Sequence, residues 1–72
     1  MQRDEALSFL KQLLSDEPNF SPNAIQLNNI RGSGVLEIHI KEQFYTQIIK
    51  DVAQKLNLSC KEKENEIMIY KP

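Results

Sequence analysis

His39 and Cys60 are the chain's single histidine and single cysteine. Together they are the first residues to weigh for chemistry, because a thiol needs a neighbouring base or cation to become a nucleophile at neutral pH. Glu37 and Glu66 raise a second arrangement, a cation held by carboxylates and an imidazole on adjacent strands. Both ideas depend on which way each side chain points. Strand phase sends Cys60 inward and His39 outward, so no Cys-His pair forms. A lone cysteine in a strand then behaves as a small buried hydrophobe. A histidine without a second positioned group does no acid–base work. The reading is therefore non-enzymatic, with no cofactor and no metal.

The segment Ile30-Arg31-Gly32-Ser33-Gly34-Val35 resembles a phosphate-cradling loop only in its glycines. Such a loop must open onto a helix N-terminus, where free N–H groups and the dipole meet the anion. Here the glycines lead into another extended segment, which makes them a hairpin turn. Lys61, Lys63 and Tyr70 suggest single-stranded nucleic acid, with the aromatic stacking a base and the lysines holding phosphates. Nine basic residues against ten acidic ones give a net charge of −1, so no global field supports that reading.

The elements that position these residues follow from periodicity. Residues 2–16 carry apolar side chains at Ala6, Leu7, Phe9, Leu10, Leu13 and Leu14, a broad helical stripe, with Asp4 as the expected N-cap. Pro18 disfavours helix at Glu17 and ends the element. Phe20, in the following Pro-rich linker, is expected to fold back onto the core. Residues 24–40 read as a hairpin whose two-residue loop is Gly32-Ser33, glycine first as in a type II′ turn. That loop pairs Ile30 with Val35, Leu27 with Ile38 and Ile25 with Ile40. It collects Ile25, Leu27, Leu36, Ile38 and Ile40 on one face, and a slip of one residue would destroy that segregation. Residues 42–57 form a second helix with a stripe of Phe44, Ile48, Ile49, Val52, Ala53 and Leu56, closed by Asn57. Residues 58–71 form a second hairpin around Glu64-Asn65, pairing Lys61 with Met68, Cys60 with Ile69 and Ser59 with Tyr70. The order α-β-β-α-β-β looks like a duplicated αββ unit, although the halves share no convincing residue identity.

One apolar face per strand and one apolar stripe per helix predict an α+β two-layer sandwich, with both helices on one face of a four-stranded antiparallel sheet. Strand 67–71 is apolar on both faces, as a central strand should be, whereas the Lys-Glu-Lys of strand 58–63 protects an edge. The predicted strand order is 1-2-4-3. At 72 residues the chain has room for one domain. A chain this small buries only about 60% of its unfolded surface, so tight packing and self-association are the stabilising devices open to it. It carries no membrane-spanning apolar run and no secretory signal pattern at its start, and a cytoplasmic location is expected.

The expected function is that of a protein-interaction module, binding a protein partner or itself as a homodimer. Two surfaces are expected to carry it. On the face away from the helices, Ile30 and Val35 approach Met68 and Tyr70, an apolar cluster with Gln26 and Asn28 beside it. The second surface is the first strand itself, which has no lysine, proline or internal glycine to discourage pairing with another strand. RNA or single-stranded DNA on Lys61, Lys63 and Tyr70 is the alternative, and no membrane partner is expected.

Overall fold

The computed structural model describes residues 1–41 and 45–72. Its elements run α1 (Arg3–Asp16), β1 (Ile25–Asn29), β2 (Leu36–Ile40), α2 (Thr46–Lys55), β3 (Ser59–Glu62) and β4 (Ile67–Tyr70). The strands form one antiparallel sheet in the order β1-β2-β4-β3, and both helices pack against it. The two-layer α-β-β-α-β-β sandwich is therefore the fold. The start expected for the second helix, with Phe44, lies outside the described residues.

Each boundary has a local cause. Helix α1 begins two residues earlier than an Asp4 cap implies: Gln2 is the N-cap, and its backbone N–H donates to Glu5 Oε1 at 2.9 Å. Asp4 sits instead in the first turn, where the helix dipole favours its charge. Helix α2 closes as expected. Asn57 takes a left-handed φ of 58°, its N–H donates to the Gln54 carbonyl, and Leu58 N–H donates to the Ala53 carbonyl. Those two bonds satisfy carbonyls that the last turn would leave unpaired. Phe20 is 2% exposed and packs against Tyr45, with ring centroids 5.5 Å apart.

The first hairpin keeps the expected register, Ile25 with Ile40 and Leu27 with Ile38, but its turn is built differently. Ser33 N–H donates to the Ile30 carbonyl at 2.9 Å, so the reversal lies over Arg31 and Gly32, at φ 50° and 68°, and not over Gly32-Ser33. Two successive positive φ values are the signature of a type I′ turn, whose twist matches that of the strands. Gly34, at φ 84°, absorbs the extra length, and its N–H donates to Asn29 Oδ1 at 3.0 Å. Register survives because Ile30 N–H still reaches the Val35 carbonyl. The second hairpin pairs Ser59 with Tyr70, Cys60 with Ile69 and Lys61 with Met68, as the sequence implies.

The core lies between the layers. Phe9, Leu13, Ile38, Ile40, Ile49, Val52 and Ile69 are fully buried, and Cys60 packs against them. The helical layer is displaced from the middle of the sheet, because the main contacts run from α1 to β2 and from α2 to β3. Strand β1 lies at the margin of that cover, with only Ile25 packed against the core. Three leucines placed in the core by periodicity are consequently in solvent: Leu27 is 49% exposed, Leu7 46% and Leu14 36%.

Candidate functional site

Alternation along the strands puts Gln26, Asn28, Glu37, His39, Lys61, Met68 and Tyr70 on the face opposite the helices. His39 stands beside Gln26 on one side and Met68 on the other. Its ring is the hub of this face: Nδ1 lies 2.9 Å from Glu66 Oε2 and Nε2 lies 3.2 Å from Glu37 Oε1. Asn28 Nδ2 donates to the same Glu37 oxygen at 3.4 Å. The bond from His39, reinforced by Asn28, holds the Glu37 carboxyl below the usual glutamate range. The ring thus links the two carboxylates, and which nitrogen donates to which depends on where the ring carries hydrogen. The two carboxylates lie against different nitrogens, on separate edges of the ring, whereas a cation needs donors converging on one point. Among the described residues no group of three His, Cys, Asp or Glu side chains is placed to hold a metal ion.

The residues expected to form an apolar contact patch fall into two pairs. Met68 and Tyr70 are half-buried neighbours on β4, while Ile30, half-buried, and Val35, 37% exposed, belong to the connection beyond the ends of β1 and β2. Polar side chains occupy the rows beside Met68, where Gln26, His39 and Lys61 share its level. Lys61 and Lys63 are exposed on β3 and just after it, with Tyr70 the aromatic on the neighbouring strand. Cys60 and His39 occupy opposite faces of the sheet.

The edge of β1 is the more distinctive surface. Four of its five residues, Gln26 to Asn29, are exposed. Ala24 accepts from Lys41 N–H and Ile30 donates to Val35, so the even-numbered residues direct their backbone groups at β2. The odd-numbered residues, Ile25, Leu27 and Asn29, therefore direct theirs outward. Ile25 N–H is taken by the Pro22 carbonyl. Among the described residues nothing bonds the N–H and C=O of Leu27 and Asn29 or the C=O of Ile25, and together they form an open hydrogen-bonding row.

Leu7 and Leu14 are exposed on one flank of α1. The opposite flank of α1 faces the rest of the molecule: Asp16 meets Lys55 of α2 at 3.4 Å, and Glu5 meets Lys71, after β4, at 2.6 Å. Each leucine lies two positions from one of these acids, about 200° around the helix. Both therefore look away from α2, toward the β1 side. The sequence held a signal of this that burial counting overlooks: the apolar stripe of α1 is wider than contact with one strand and one helix can cover.

Compared with known proteins, the chain matches no family model, no curated protein and no solved structure. No helix among the described residues is long and apolar enough to cross a membrane.

Proposed function

We propose that this chain is a non-enzymatic protein-interaction module that accepts an extended segment of a partner along the edge of β1. The observation behind the reading is the coincidence, at one edge, of unsatisfied backbone groups and exposed leucines. Backbone bonds supply affinity in strand addition, and side chains at alternate positions supply selectivity. Leu27 is the apolar anchor on the helix side of the edge, and Gln26 and Asn28 are the polar contacts on the other side. Ile30 and Val35 extend this surface past the end of the strand. The edge carries no charge, so it lacks the feature by which edge strands commonly avoid such pairing. Single-stranded nucleic acid on Lys61, Lys63 and Tyr70 has less behind it, because one aromatic and two lysines share their face with Glu37 and Glu66.

A displayed library of short extended peptides, panned against the chain immobilised at low density, tests the reading. Peptides with alternating apolar side chains are expected on the wild type and lost on Leu27→Lys, a change at a half-exposed site that leaves the fold intact. Equal binding to both proteins, or recovery of no such peptide, removes the β1 edge as the site.

A further inference from the structure

Residues 3, 7, 10 and 14 of α1 follow one another at steps of four, three and four, the spacing of a coiled-coil seam. They are Arg3, Leu7, Leu10 and Leu14. Leu7 and Leu14 are exposed, and Leu10 is half-buried. This seam looks toward the side of β1, whose own exposed leucine, Leu27, stands at the centre of the strand. We infer that the occupant of this edge is a second copy of the chain, joined β1 to β1 about a two-fold axis through Leu27. The inference rests on the reading that the β1 edge is the contact surface, and it names the partner.

Self-complementarity carries it. In an antiparallel pairing centred on Leu27, the outward N–H and C=O of Leu27 meet those of Leu27 in the second copy. Asn29 N–H then meets the free carbonyl of Ile25 from the other chain, and the reverse. The occupied Ile25 N–H is not needed. On the open face, Gln26 stands opposite Asn28 of the second copy, two side-chain amides that can donate to and accept from each other. On the helix side, the two Leu27 side chains are adjacent. No charged residue of β1 opposes its own copy.

The same axis relates the two α1 helices in antiparallel fashion. Centring a helix over β2 puts the two helices three strand spacings apart, about 14 Å. A helix with its side chains is about 10–12 Å across, so the two helices stand a few ångströms short of direct packing, and the leucines line a narrow cleft floored by the Leu27 pair. A standard interface takes about 800 Å² from each partner, about a sixth of this chain's 4822 Å² surface. The product is one continuous eight-stranded sheet.

Sedimentation of the wild type and Leu27→Lys, combined with oxidative cross-linking of Leu27→Cys in a Cys60→Ala background, tests this. Hydrogen-bonded antiparallel partners have Cα atoms about 5.5 Å apart, within disulfide reach. The expected result is a dimer for the wild type, cross-linked chains for Leu27→Cys, and a dissociation constant raised about tenfold or more by Leu27→Lys. A wild type that stays monomeric at about 100 μM overturns the second copy, and peptide binding at the edge then still distinguishes the broader reading. A dimer that survives Leu27→Lys and cross-links through Met68→Cys instead overturns both.

Discussion

His39 is where local chemistry matters most. Its ring separates two glutamates that would otherwise share a crowded sheet face, and it bonds to each. Replacing it with alanine leaves Glu37 and Glu66 without that common partner, at an expected cost of about 1–2 kcal/mol. The diagnostic readout is Glu37 itself: its carboxyl titration, followed by NMR, is expected to move back up toward the ordinary glutamate value in His39→Ala. An unchanged Glu37 titration would mean that the bridge does not form in solution. The sign of the pH effect follows from the direction of the shift. Glu37 is depressed in the folded chain, first by its bond to His39. Its contribution is complete above the unfolded glutamate value of about 4.3 and disappears as pH falls through the lower folded value. Glu5, lowered chiefly by its bond to Lys71, acts in the same direction. Urea melts at pH 6 and pH 3 are therefore expected to show a smaller acid loss in Glu37→Gln than in the wild type. Equal losses in the two proteins would remove Glu37 from the account.

At the scale of elements, the first hairpin is under a strain the second avoids. Arg31 occupies the left-handed region at φ 50° and ψ 30°, a conformation costing a side-chain-bearing residue about 1–2 kcal/mol. Asparagine tolerates it, and Asn-Gly is the preferred pair for this turn type. Arg31→Asn is expected to stabilise the chain by about 0.5–1 kcal/mol in thermal or urea unfolding; a neutral or destabilising result would mean that the turn does not run through Arg31 and Gly32. This position also shows what a sequence does and does not reveal. Register was legible because only one pairing separates Ile25, Ile38 and Ile40 from Gln26, Glu37 and His39. The turn was not legible, because different loops can deliver the same register and only backbone dihedrals tell them apart. Strand order was legible for a similar reason: Met68 and Tyr70 make β4 apolar on both faces, while Lys61 and Lys63 mark β3 as an edge. Leu27 was misplaced because periodicity reports which face a side chain takes, not whether a helix lies above it. The candidate site was legible as an unguarded strand, but the exposure of Leu7 and Leu14 depended on where α1 came to rest.

For the whole molecule, the lateral offset of the helical layer divides the apolar residues into two populations with different jobs. Phe9 is completely buried, and Phe9→Ala is expected to cost about 3–5 kcal/mol. A chain of this length has about 4–11 kcal/mol of stability in all, so that variant sits near unfolding at any concentration. Leu7 belongs to the same helix but is 46% exposed. As a monomer the Leu7→Ala variant loses little packing, and a cost under about 1 kcal/mol is expected. In a dimer joined through β1 the same side chain lines the cleft between the two helices, and its loss falls on association. Urea unfolding at two protein concentrations, about a hundredfold apart, separates the two populations. Mass action raises the wild-type midpoint with concentration whenever the folded state self-associates. That rise is expected to shrink in Leu7→Ala while the midpoint at high dilution stays close to that of the wild type. A Leu7→Ala penalty that is large and equal at both concentrations would place Leu7 in the monomer's core, and the exposed seam along α1 would lose its role in association.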